Sequence, residues 1–273
     1  MTIRHLNCAT MNPAGSFGGR ALPRAMVAHC LLVERPDGLL LVDTGFGSGD
    51  VADPKRLGQP FRAIVRPQLL AQETAVAQVR ALGYEPTDVT DIALTHLDLD
   101  HVGGLGDFPQ ARVHVFGDEL DAGLDPTLRE RGRYLPAQRS HGPDWVRHEV
   151  PGDAWFGFDS VTALGDDVLL IPLQGHTRGH CGVAVRRPEG GWLLHVGDSY
   201  FHASEKLASP APPIGLRIFQ TLMGIDNKRR LANQERLREL QRSHSDQITI
   251  FCAHDPDEFA ALAGTRRDEA SGA

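Results

Sequence analysis

The chain has 273 residues, 41% of them hydrophobic and 23% charged, with a formal net charge of −7. That length buries a large core without disulfide or metal staples, and the acidic balance argues against nucleic acid or an anionic membrane as partner. No run of 18 apolar residues occurs, so no membrane span is expected.

The first residues, Met1 to Leu6, lack the charged-then-apolar layout of a signal peptide. Cys8, Cys30, Cys181 and Cys252 are scattered with no C-x-x-C pair, and read as free thiols of a cytoplasmic protein. Ile3–Cys8 and Ala25–Glu34 read as strands, separated by a glycine-rich turn from Asn12 to Gly19. Pro36-Asp37-Gly38 is a turn signal. The almost wholly apolar Leu39–Asp43 then predicts the return strand of a hairpin, central in a sheet covered on both faces. Thr44 to Gly49 follows as a glycine-rich loop, and the prolines and mixed charge of residues 50 to 67 predict an irregular loop. Leu69, Val76, Val79 and Leu82 predict a helix from Leu69 to Leu82, stopped by Gly83.

Asp91–Thr95 reads as a short buried strand that delivers His96, Asp98, Asp100 and His101 at its end. Arg112–Phe116 is the next strand, and Asp118 is placed to cap a short helix. Residues 124 to 160 are rich in Pro, Gly, Arg and Trp and keep Trp145, Trp155, Phe156 and Phe158. They read as an insertion over one face, either a lid or pocket wall or a loop packed by its own aromatics. Val168–Pro172, Cys181–Arg187 and Trp192–Val196 are strands, the last two joined by the turn Pro188–Gly191. Asp226 is expected to cap a helix running to His244, and Gln247–Cys252 is the last strand. A single α/β domain with mixed sheets is expected over residues 1–263, with a frayed tail at 264–273.

Four metal-capable side chains within six residues, at the end of a buried strand, ask for partners that a metal supplies. In an extended chain, spacing of two puts 96, 98 and 100 on one side. Asp100 and His101 are neighbours and must point apart, so the stretch can serve two ions. A calcium loop is excluded, because its glycine and terminal Glu are absent. Three more strand ends carry His or Asp: His176 and His180, Asp198, and His254. Open sheets gather ligands at strand ends, so one rim can hold all of them.

With these motifs in this order, from Leu41-Val-Asp-Thr-Gly45 to His254, the chain resembles the metallo-β-lactamase-fold hydrolases, whose first motif is H-x-H-x-D-H. The resemblance implies a four-layer αββα sandwich with two mixed β-sheets. It implies two divalent ions, zinc first: His96, Asp98 and His176 on one, Asp100, His101 and His254 on the other, and Asp198 between them. His180 matches a supporting position, and Asp43 matches an aspartate that orients a ligand histidine. Asp98 departs from the pattern, standing where the family has histidine. With one hydroxide counted beside the two dications, the extra carboxylate makes the site formally neutral and more tolerant of manganese or iron.

Length and build resemble the N-acyl-homoserine lactonase branch, which implies a hydroxide attacking a small ester-like substrate, a lactone first. Asp100 would orient the hydroxide and pass a proton to the leaving group. Tyr200 is a candidate oxyanion donor, although lactonase relatives place their tyrosine at the position of Phe201. His202 is a further candidate. The alternatives are a glyoxalase II-like thioesterase and a di-iron redox protein of the flavodiiron type, which carries Glu at the position of Asp98.

A small molecule is the expected partner; oligomeric state leaves no signal. Gly45-Phe-Gly47-Ser-Gly49 imitates a dinucleotide fingerprint but puts its third glycine one residue early and opens no expected helix. No G-x-S-x-G elbow is present, which disfavours covalent catalysis. Arg229, Arg230, Arg236, Arg238 and Arg242 read as a solvated helix face.

Overall fold

The computed structural model of the chain describes residues 1–149 and 153–264. The strands are β1 (Thr2–Met11), β2 (Met26–Arg35), β3 (Gly38–Val42), β4 (Val89–Ala93), β5 (Arg112–Phe116), β6 (Asp144–His148), β7 (Val161–Leu164), β8 (Val168–Pro172), β9 (Cys181–Arg186), β10 (Trp192–His195) and β11 (Ile248–Phe251). The helices are α1 (Ser48–Ala52), α2 (Gln59–Val65), α3 (Ala75–Ala81), α4 (Leu99–Val102), α5 (Gly117–Leu124), α6 (Ile214–Met223), α7 (Asn227–His244) and α8 (Pro256–Leu262).

Two mixed sheets result. The first runs β1-β2-β3-β4-β5-β6, antiparallel through β3 and parallel beyond it. The second runs β11-β10-β9-β8-β7, with only β10 and β11 parallel.

Alternation along the strands explains the layers. Leu40 and Val42 of β3 meet Leu170, Val183 and Phe251 of the opposite sheet, while Leu39 and Leu41 face the layer that holds Val76 and Val79 of α3. Leu169 and Ile171 of β8 and Ile250 of β11 face Leu237 and Leu240 of α7. A strand packed on both faces has no polar side to show, which is why β3 reads as a continuous apolar run. The order helix, sheet, sheet, helix is the expected αββα sandwich.

Several elements depart from expectation. The helix predicted from Leu69 starts at Ala75, because the Thr74 hydroxyl accepts from Ala77 N and Leu69 takes a left-handed φ of 51°. Residues 50 to 67 hold α1 and α2 instead of an irregular loop. The stretch 124 to 160 contains β6, the edge strand of the first sheet. The expected arginine face is solvated at Arg229 and Arg242, but Arg230 is buried on Gln220 and Arg236 lies 4.0 Å over the Phe158 ring. Of the expected tail, all but Gly264 lies outside the described residues. Among the described residues, no helix is long and apolar enough to cross a membrane.

Candidate metal centre

Strand ends deliver the ligand candidates to one rim. The chain leaves β4 extended through Asp98, then turns helical at Leu99. His96 and Asp98 therefore fall into one group with His176 and Asp198, whereas Asp100 and His101 swing into a second group with His254. All seven are buried. The alternation expected for 96, 98 and 100 stops at 98, because a helical turn replaces the period of two.

Asp198, just past β10, stands between the groups. Its Oδ1 lies 3.0 Å from His254 Nε2 and 3.3 Å from His101 Nε2. Its Oδ2 lies 3.3 Å from His176 Nε2 and 3.8 Å from His96 Nε2. The Asp198 backbone N–H donates to His180 Nε2 at 2.9 Å, and His180 Nδ1 donates to the Leu173 carbonyl at 3.1 Å. His180 thus holds the Asp198 backbone in place.

In the second group both imidazoles are oriented from behind. His101 Nδ1 donates to Asp43 Oδ2 at 2.8 Å, and His254 Nδ1 donates to the Val27 carbonyl at 2.8 Å. Their Nε2 atoms therefore present lone pairs to the centre. Asp43 also accepts from the Thr95 backbone N–H at 2.8 Å and from its hydroxyl at 2.7 Å, from a left-handed backbone with φ 55°. Burial works against the Asp43 charge, but His101 outweighs it and holds the carboxyl at about 2. Asp100 Oδ2 lies 3.6 Å from His254 Nε2. His101 Nε2 and Asp198 Oδ1 are buried without a hydrogen-bond partner, a state that costs free energy unless a cation fills it. This donor set, two imidazoles and two carboxylates, fits a divalent ion such as zinc.

The first group carries something no motif announced. Arg133, itself buried, grips Asp98 in a bidentate pair, with Nε to Oδ1 at 2.7 Å and Nη2 to Oδ2 at 2.6 Å. Its Nη1 donates to the carbonyls of Met223 at 2.8 Å and His176 at 3.2 Å, and Nη2 also reaches His176 Nε2 at 2.8 Å. His176 Nδ1 has no partner.

Charges follow the geometry. Burial opposes ionisation of Asp98, yet the Arg133 charge keeps it well below the usual carboxylate range. Burial and then Arg133 push His176 down to about 4. In the second group burial likewise opposes the imidazolium, but Asp198 and Asp43 raise His101, and Asp198 and Asp100 raise His254. A dication entering among those carboxylates competes with the two protons they attract.

Three further expectations meet the structure differently. The Tyr200 hydroxyl, offered as an oxyanion donor, is fully buried and donates to Glu258 at 3.0 Å, and Tyr200 is not among the residues that line the cavity. Phe201 faces the cavity instead. His202 Nδ1 accepts from the Ser204 backbone N–H at 3.2 Å, as a helix cap. Reading motifs also missed Glu119, whose buried carboxylate accepts from Leu97 N at 2.9 Å, Thr177 Oγ1 at 2.6 Å, Gly179 N at 3.0 Å and Tyr134 OH at 3.1 Å. It ties the two loops carrying His96 and His176 to each other.

Above the centre opens a cavity of about 260 Å³. Its floor is Asp98, Asp100, Asp198, His176 and His254, and its walls are apolar, with Phe61 and Val65 of α2, Leu216, Phe219 and Met223 of α6, and Met26 of β2. Arg129 and Arg133 enter from residues 124 to 160. The α6 wall follows a proline-rich stretch, Pro210 to Pro213, and was not expected.

A model of the metallo-beta-lactamase superfamily matches residues 23–228. A protein of Mycobacterium tuberculosis named "Probable metallo-hydrolase" is 44% identical over 267 residues, spanning 96% of this chain and 83% of its own length. The N-acyl homoserine lactonase AttM of Azorhizobium caulinodans is 27% identical over 233 residues, 85% of this chain and 82% of its own. Among solved structures, an N-acyl homoserine lactone hydrolase with the product N-hexanoyl-L-homoserine at its catalytic metal centre matches with a TM-score of 0.71. It covers 96% of this chain and 97% of its own at 22% identity, a likeness of fold.

Proposed function

Because the chain belongs to the metallo-beta-lactamase superfamily, we propose that it is a divalent-metal-dependent hydrolase that opens a small ester-like bond, a lactone first, in a substrate with an apolar arm. One observation carries this reading: a buried set of imidazoles and carboxylates forms the polar floor of an otherwise apolar cavity. Such a pocket favours a molecule with one polar, reactive end and a hydrocarbon remainder. The lactonase names of AttM and of the solved neighbour point the same way.

Asp100, His101 and His254 would hold the ion together with Asp198, whose Oδ1 lies 3.0 Å from His254 Nε2 and 3.3 Å from His101 Nε2, and zinc is the first choice for two imidazoles and two carboxylates. A cation held there supplies Lewis acidity toward a carbonyl oxygen and a nucleophile drawn from water at neutral pH. Asp43 and the Val27 carbonyl orient the two imidazoles, and His180 fixes Asp198. Asp100, on the cavity floor with its Oδ2 3.6 Å from His254 Nε2, is placed to take a proton on one side of the bond and return it to the leaving oxygen. The walls of α2 and α6 seat the apolar arm and exclude water from the floor. Four buried free thiols favour a reducing compartment, the cytoplasm. The di-iron alternative rested on Asp98 as a free carboxylate ligand, and Arg133 engages that carboxylate.

The test is a panel of zinc-loaded protein against lactones with short and long acyl arms, thioesters and phosphoesters. Lactone hydrolysis that rises with arm length and is abolished by a chelator is expected. A thioester preference would move the assignment to the glyoxalase II-like alternative, and a coloured, iron-bearing protein without hydrolysis would sink it.

A further inference from the structure

Every donor of the Arg133 guanidinium has an acceptor. A guanidinium carries five N–H groups, and here they meet Asp98 Oδ1, Asp98 Oδ2, His176 Nε2 and the carbonyls of His176 and Met223. His176 Nε2 lies 2.8 Å from Arg133 Nη2 and 3.0 Å from Asp98 Oδ2, so in one tautomer it accepts from the guanidinium and in the other it donates to the carboxylate that the guanidinium holds. Two of the first group's side chains, Asp98 and His176, are thereby committed to a buried cation that the protein already owns. What remains is His96 Nε2 and one oxygen of Asp198, 3.8 Å apart. Two donors do not make a tight divalent site, for which three or four protein ligands are usual.

The second group differs around Asp98 and His176, although His96 of the first group also has its Nδ1 at 3.0 Å from the Thr95 hydroxyl and its Nε2 buried without a hydrogen-bond partner, as His101 Nε2 is. The second group's two imidazoles are oriented by Asp43 and the Val27 carbonyl, whereas His176 Nδ1 has nothing behind it. Among the described residues, no guanidinium is hydrogen-bonded to Asp100 or Asp198. Counted over the candidate ligands and Arg133 alone, without a hydroxide or Asp43, one dication balances Asp98, Asp100 and Asp198 to formal neutrality, and a second would add two positive charges to a buried site.

Resting on the metal-dependent reading above, we propose that Arg133 takes the place of one of the two ions implied by the motif pattern, so that this chain holds a single tight divalent ion on Asp100, His101, His254 and Asp198. Asp98 is then the counter-ion of Arg133, and its departure from histidine is the matching half of a pair. An imidazole at position 98 could not form the bidentate, charge-neutralising contact that a carboxylate makes with a guanidinium.

Zinc per chain is measured by elemental analysis after expression with zinc and desalting, and metal-free protein is titrated with zinc against a chromophoric chelator. The wild type is expected to retain one ion, with any second ion bound on the order of a hundredfold more weakly. The double variant Asp98→His with Arg133→Met is expected to retain two. Thermal melting checks that it folds, and if it does not, the wild-type titration decides alone. Two ions bound to the wild type with affinities within about tenfold would overturn the proposal and leave the hydrolase reading standing. Metal-replete protein without any bound ion would remove both.

Discussion

At the scale of single residues, the centre is a set of side chains held from behind. Asp43 is the clearest case, because its carboxylate fixes both the tautomer and the direction of His101 while anchoring Thr95. Its left-handed φ of 55° is a conformation that asparagine tolerates, so Asp43→Asn changes the chemistry with little backbone strain. The amide loses the charge that the His101 N–H points to. Zinc affinity is expected to fall roughly 10–100-fold, measured by chelator competition, while the far-UV circular dichroism stays unchanged. An unaltered affinity would mean that His101 is oriented by something other than Asp43. Tyr200 shows the converse, since a residue two positions from Asp198 in sequence is engaged by a buried hydrogen bond to Glu258.

At the scale of elements, α5 matters out of proportion to its eight residues. Glu119, near its start, accepts from both ligand-bearing loops, and Gly179 lies so close to the Glu119 backbone that a Cβ there would overlap the amide nitrogen. Glu119→Ala strands the backbone N–H groups of Leu97 and Gly179 and the Thr177 and Tyr134 hydroxyls in a buried space. A loss of about 2–4 kcal/mol in urea unfolding is expected, with zinc affinity falling as the two loops part. A change below about 0.5 kcal/mol would show that the loops hold their places without it. Both the ligand loops and the strands beneath them were legible in the sequence, because apolar runs that end in His or Asp have few other uses. Glu119 and Arg133 were not. A carboxylate bonding across 22 and 58 residues, or a guanidinium reaching back 35, leaves no local pattern. Nor does a short wall such as α6, whose apolar residues line a cavity made by distant segments.

At the scale of the whole molecule, the centre exists only while the two sheets stay packed, since its residues come from the ends of β3 and β4 on one side and β8, β10 and β11 on the other. The sheets meet at a cluster of histidines beside the centre. His195 Nε2 donates to the His29 carbonyl at 2.5 Å, His29 N donates to the Ala253 carbonyl at 2.9 Å, and His5 and His29 share a hydrogen bond at 2.7 Å against Phe251. Burial, then the neighbouring His195, lowers His5 to about 4 and His29 well below its ordinary value. In the unfolded chain both titrate near 6.5. Between that value and the folded one the unfolded chain binds more protons, so the stability these residues confer is whole above about pH 6.5 and drains as the pH falls toward 4. Replacing His5 with glutamine removes one such titration and leaves the other groups of the metal-free protein in common. As the pH is lowered from about 8 to about 5, the variant should gain on the wild type by on the order of 1 kcal/mol, allowing for the partial exposure of His5. Paired urea melts of the metal-free proteins read that difference directly. A gap that stays constant across the range would show that His5 keeps its ordinary affinity for a proton in the folded state, and that acid opens the sheet junction elsewhere.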